Sequence, residues 1–164
     1  MQIKKRYSHV ILTIFSIILL AGFLYFGMQP QTAEANSSLI LEAPSINLTS
    51  SIRVIELNSD YTLTSPDRIA GLYQAAENNT FIIGHSSTIF SNLKNLKPND
   101  HLILDGKTYL VKTYIIQKKS EISMSKVLEA KLIPTLTLMT CHGEKIAKND
   151  YTERIIITAE LASN

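Results

Sequence analysis

The 164 residues predict an all-β fold: a closed or nearly closed barrel of about eight strands with one or two short helices, preceded by an N-terminal transmembrane helix. Three observations lead there. Short β-rich runs recur from residue 38 to residue 161, most of them bounded by Pro, Gly, Asn or Asp, as strands are. Asp105-Gly106 sits between two apolar runs, a strong two-residue hairpin signal. Residues 10–28 form an uncharged stretch of nineteen residues near the amino terminus. Closing so many short strands into a barrel hides their edges.

The apolar stretch comes first. At about 1.5 Å per residue, a helix of that length nearly spans a bilayer's ~30 Å core. Lys4, Lys5 and Arg6 precede it, and no Lys or Arg follows until Arg53. The positive-inside rule therefore predicts a cytoplasmic tail at 1–9, an anchor at 10–28 and everything beyond on the outer side of the cell membrane. Tyr25 and Phe26 lie near the outer end, where aromatic residues favour the interface. A cleaved signal peptide is the alternative, because Ala33-Glu34-Ala35 is an A-x-A pattern. Against it, the apolar run exceeds the usual signal-peptide core. Both readings export the rest of the chain.

Residues 29–38 are polar and contain Pro30, so they read as a linker to a domain at 39–164. The predicted strands of that domain are 38–41, 46–48, 52–57, 80–84, 102–104, 108–117, 135–140 and 154–161. The continuous apolar runs 136–139 and 155–157 predict central strands buried on both faces. A helix is predicted at 66–76, with Ser65 as N-cap, Pro66 at its first position and Ile69, Leu72 and Tyr73 on one face. Shorter helical turns are predicted at 87–93 and 123–130.

Charge and cysteine content narrow the chemistry. Beyond residue 35 the chain holds 13 basic and 13 acidic residues. A neutral domain has no long-range field for nucleic acid, which argues against phosphate-backbone binding. The single cysteine, Cys141, excludes an internal disulfide framework and a thiolate-rich zinc site. No spacing of His, Cys or acidic residues suits a metal, and there is no glycine-rich phosphate loop.

Three positions could carry chemistry. Cys141 ends the run Thr137-Leu138-Met139-Thr140-Cys141, His85 ends Phe81-Ile82-Ile83-Gly84-His85, and Arg154 begins the last strand. Their bland readings are an inert buried cysteine, a hydrogen-bonded histidine and a solvated edge charge. Jointly they make sense as a site. A thiolate attacks, an imidazolium protonates a leaving amine, and a guanidinium supports the developing oxyanion. Of the other histidines, His101 lies at a turn beside Asp100 and reads as surface. His142 adjoins Cys141, so on a strand it points to the opposite face. His9 lies at the cytoplasmic edge.

These residues resemble the sortases, the cysteine transpeptidases of bacterial cell surfaces. Thr137-Leu138-Met139-Thr140-Cys141 fits the family's TLxTC signature. Arg154, before Ile155-Ile156-Ile157, follows the cysteine as the family arginine does. Ile82-Ile83-Gly84-His85 resembles the strand that supplies the family histidine. Phe90-x-x-Leu93-x-x-Leu96 and Asp100 follow it in family order, with Asn99 where the family has Gly. Ala43-Pro44-Ser45-Ile46-Asn47-Leu48 is similar to the proline-started first strand, and the anchor also matches. No acidic cluster precedes His85, so the calcium site of some members is not expected. The segment 118–134, placed where sortases carry a specificity loop, is short, and the subclass stays open.

The resemblance implies a small single-anchor sortase. It would cleave an LPxTG-like sorting signal near the carboxy terminus of secreted proteins. Cys141 would form the thioester, with His85 as general acid and base and Arg154 on the oxyanion. Thr140, Ile122, Val127 and Leu128 are the candidate substrate-binding residues, and no cofactor or metal is required. The acceptor would be an amine of a peptidoglycan precursor or a pilin lysine. Two rivals stay open: an exported cysteine hydrolase with water as acceptor, and a non-catalytic tethered barrel that binds peptide or glycan. With unperturbed pKa values of about 8.5 for a thiol and 6.5 for an imidazole, only roughly 1% of such pairs carry thiolate and imidazolium together near pH 7.5.

Overall fold

The structure is a computed structural model that describes residues 39–148 and 150–163. The expected tail, anchor and linker at 1–38 lie outside the described residues. Among the described residues, no helix is long and apolar enough to cross a membrane.

Eight strands form the domain: β1 (Ile40–Ala43), β2 (Leu48–Val54), β3 (Ala70–Ala76), β4 (Asn79–Ile83), β5 (His101–Leu104), β6 (Lys107–Lys118), β7 (Thr135–Ala147) and β8 (Asp150–Leu161). They close into a barrel in the order β1-β2-β3-β4-β7-β8-β6-β5, with β5 pairing back on β1. The β2–β3 and β4–β7 pairs are parallel and the others antiparallel. One helical turn, α1 (Met124–Val127), and three short 3₁₀ turns complete the fold.

Alternation along the strands builds the core. Leu72 on β3, Ile82 on β4, Leu136 and Leu138 on β7, and Ile155 and Ile157 on β8 point inward and are buried together. Phe90, Leu93 and Leu96, from the chain after β4, join the same core. Of the two runs expected to be central, Ile155 to Ile157 are buried throughout, and in 136–139 Leu136 to Leu138 are buried while Met139 is half-buried. The Asp105-Gly106 hairpin also forms, with φ of 49° and 74° at its two central residues, as a type I′ turn requires.

Three local expectations are corrected. The predicted helix at 66–76 does not form, and most of that stretch is β3. Ser65 caps nothing: its hydroxyl contacts the Pro66 carbonyl at 3.4 Å. The Ala70 N–H instead donates to Ser50 Oγ at 3.0 Å, and β3 is paired on both sides, by β2 and β4. A short apolar run satisfies either period, and here strand pairing on both sides overrides the helical pattern. Predicted strands 46–48 and 52–57 fall on one strand, β2, which covers 48–54 only and is entered through a 3₁₀ turn at Pro44–Ile46. The count of eight therefore holds with a different membership. Finally, residues 143–153, between the predicted strands 135–140 and 154–161, belong mostly to β7 and β8, which run on as a long hairpin. The stretch expected as a helical turn at 87–93 is a series of tight turns, including Ser91 N–H to Thr88 O at 3.2 Å, that ends in a 3₁₀ turn at Leu93–Asn95.

Candidate active site

Three adjacent strands deliver the three expected residues to one end of the barrel. In the parallel β4–β7 pair the last matched residues are Ile83 and Met139. Two positions further along each chain stand His85 and Cys141. On the other side of β7, Cys141 is directly paired with Arg154 of β8. Leu138 and Ile157 face the core, so by alternation Cys141 and Arg154 share the outer face. The cysteine strand thus lies between the histidine strand and the arginine strand.

Local packing explains how His85 is held. A Cβ on Gly84 would stand 2.7 Å from Phe90 Cδ2 and 2.9 Å from Ile89 Cγ2, so only glycine lets the chain after β4 fold back this closely. The His85 carbonyl accepts from the N–H groups of Thr88 and Phe90 at 3.1 and 3.0 Å. Thr140 is buried, and its hydroxyl donates to the Gly84 carbonyl at 2.7 Å, tying the cysteine strand to the residue before His85. Beyond the cysteine, Gly143 has φ of +79° and the β7–β8 register shifts between His142 and Lys145.

Arg154 is not the solvated charge of its bland reading: its side chain is only 13% exposed. Nη1 donates to the carbonyls of Tyr151 and Glu153 at 2.9 and 2.8 Å, and Nη2 donates to Asp150 Oδ1 at 3.1 Å. Asp150 also accepts from Lys119 Nζ at 2.9 and 2.8 Å, one bond to each carboxylate oxygen. The two cations hold the Asp150 carboxyl well below the usual range, at about 2. The Cys141 thiol is half-buried, and burial pushes its pKa up. Arg154 and Lys119 oppose that rise, and Asp150 adds to it.

Cys141 opens on a cavity of about 250 Å³ at the barrel end. Buried Thr140, Phe90 and Ile155 are among the residues that line it, as are Ser91, Lys94 and Tyr151. His142 also lines this cavity, although it pairs across the hairpin with Glu153, whose Oε2 lies 3.9 Å from His142 Nε2. Arg154 is paired with Cys141 across β7–β8 and His85 follows the end of β4; neither lines the cavity. Of the expected substrate contacts, Thr140 is in the cavity wall. Ile122, Val127 and Leu128 are half-buried in the β6–β7 connection and are not part of that wall. In the same connection Met124, Leu132 and Ile133 are exposed. Among the described residues no group of three His, Cys, Asp or Glu side chains could hold a metal ion.

Sequence reasoning missed Asp150 and Lys119. The one available signal was Asp150 itself, four residues before Arg154 and so on the same strand face once β8 is extended. With the last strand predicted to start at Arg154, Asp150 fell outside it.

The sortase domain model matches residues 41–162, and the chain belongs to the sortase family of transpeptidases. No curated protein matches the sequence. Solved structures of three sortase types share the fold. Listeria monocytogenes sortase A is 18% identical with a TM-score of 0.58, over 77% of this chain and 87% of that one. The pilus-related sortase C of Group B Streptococcus is 20% identical with a TM-score of 0.58, over 79% and 69%. Clostridium perfringens sortase D5 transpeptidase is 19% identical with a TM-score of 0.57, over 76% and 78%. Types A, C and D fit about equally well, so the likeness shows the fold and selects no subclass.

Proposed function

We propose that this sortase uses Cys141, His85 and Arg154 to cleave an LPxTG-like sorting signal and transfer the secreted protein to an amine of the cell wall or of a pilin. One observation supports the reading: the strand register sets Cys141 opposite Arg154, and His85 stands two residues beyond the end of β4, the strand paired on the other side of the cysteine strand. The Cys141 thiolate attacks the threonine carbonyl carbon, and the oxyanion is stabilised by Arg154. The C–N bond then breaks, and the His85 imidazolium gives its proton to the departing glycine amine. The acceptor amine attacks the thioester and passes a proton to His85, and the thiolate leaves. The steps balance without a cofactor. Exposed and half-buried apolar residues of the β6–β7 connection suit a nonpolar peptide segment, with Ile122, Val127 and Leu128 as candidate contacts. The hydrophobic segment at 10–28 would tether the domain outside the membrane.

The test is intact-mass analysis of the full chain with an LPxTG peptide, with and without a glycine amine. Wild type should show an acyl-enzyme, and the amine should divert product from acid to amide. Cys141→Ala should show no mass shift. His85→Ala should lose activity severely, while His142→Ala stays within several fold of wild type. A mass shift in Cys141→Ala, or equal damage from both histidine changes, would overturn the assignments.

A further inference from the structure

Resting on the reading of Arg154 as the oxyanion support, we propose that Asp150 is a positioning residue that aims the Arg154 guanidinium, and that Lys119 clamps Asp150 from outside. A guanidinium has five N–H donors in one rigid plane. Three are occupied within β8: two by the carbonyls of Tyr151 and Glu153, and one by Asp150. Three contacts on a planar group fix its plane, and with it the direction of the remaining Nε–H and Nη2–H. Those two are the donors left for a substrate oxygen. Both carbonyl contacts fall on Nη1, so Asp150 is the anchor on the second arm. Without it the plane swings about Nη1.

An exposed ion pair alone contributes little. This one is layered instead. The Lys119 side chain is 51% exposed, that of Asp150 29% and that of Arg154 13%. Exposure falls from the ammonium through the carboxylate to the guanidinium, so the most exposed charge holds the one that holds the least exposed. The carboxylate accepts four hydrogen bonds from three donors, the Tyr151 N–H included at 2.9 Å. Such a carboxylate has little freedom, and preorganised donors are what an oxyanion site needs. Lys119 opens the connection between β6 and β7, so one carboxylate ties the start of that connection to the arginine beside the thiol.

The experiment uses the full chain in two arms. The first needs no turnover: ¹⁵N relaxation of the Arg154 Nε–H in wild type, Asp150→Asn and Lys119→Met. Order should be high in wild type, lowest in Asp150→Asn and intermediate in Lys119→Met. The second is steady-state transfer of an LPxTG peptide to a glycine amine. Asp150→Asn should lower kcat about tenfold with KM little changed, as expected for misaiming one oxyanion donor. In an Arg154→Ala background the same change should cost less than about twofold, since the effect runs through the arginine. Asp150→Glu, which keeps the charge, should recover part of the loss and serves as the comparison if Asp150→Asn melts. An equally ordered Nε–H in Asp150→Asn would overturn the proposal, and so would the same loss with and without Arg154. A wild-type chain that ignored the peptide would refute the proposed substrate and leave the first arm to decide the role of Asp150.

Discussion

The Cys141 thiol works against its own surroundings. Burial and Asp150 raise its pKa, and the two nearby cations only partly oppose them. At a given pH less of this thiol is thiolate than of an exposed one. In iodoacetamide alkylation against pH, the native thiol should react with a midpoint above that of the unfolded chain. Arg154→Ala should move the midpoint further up, because it removes a charge that favours the thiolate. Asp150→Asn should move it down, for the opposite reason. Shifts in the same direction for both variants would contradict the charge arrangement. Asp150 also predicts an acid limb of stability. Its folded pKa is depressed, so its contribution is present above the unfolded value of about 3.9 and is lost as pH falls toward about 2. Melts of wild type and Asp150→Asn should therefore converge at low pH. Arg154→Ala and Arg154→Lys should each slow peptide transfer by at least about tenfold, with Lys milder because it keeps the charge and loses the planar fork. With its side chain largely buried and making three hydrogen bonds, Arg154→Ala should also lower the melting temperature.

Among the elements, the β6–β7 connection is stitched down rather than loose. Asn79, the first residue of β4, is fully buried. Its Nδ2 donates to the carbonyls of Val127 and Glu129 at 2.9 and 2.7 Å, and its Oδ1 accepts from Thr137 at 2.8 Å. Nearby, Asn78 Nδ2 donates to the Lys131 carbonyl at 3.2 Å. Asn79→Ala should cost about 1–3 kcal/mol in a denaturant titration, since it leaves the buried Thr137 hydroxyl and two part-buried carbonyls without their partner. Asn79→Asp should be no better, because a carboxylate cannot donate to the carbonyls. The connection therefore presents its exposed apolar residues from a fixed frame. Exchanging residues 118–134 with those of another sortase should change which sorting peptide is cleaved while Cys141 alkylation stays at the wild-type rate. An unchanged peptide preference at normal activity would make the connection a lid only. None of this clamp was legible in the sequence. Asn79 follows a turn residue and reads as part of a loop, and only a fold that brings residues 127–129 beside β4 gives its amide a task.

At the scale of the molecule, the barrel is one core closed by long-range pairing. Leu138 is completely buried between Ile82 and Ile157, its partners on the flanking strands. Leu138→Ala should destabilise the domain by about 2–5 kcal/mol and lower the midpoint of a single cooperative transition. The strands with strong alternation or continuous apolar runs, the Asp105-Gly106 turn and the Thr-Leu-Met-Thr-Cys run are local patterns. Sequence alone determined them, together with the candidate catalytic residues they carry, because side-chain period and turn chemistry act over a few residues. Tertiary structure alone decided that residues 70–76 form a strand, since that choice depends on β2 and β4 offering hydrogen bonds on both sides. It alone decided that Arg154 is held by Asp150 and Lys119. The physical reason is the same in both cases: the partner that settles each choice is supplied by strand pairing, and no local preference encodes it.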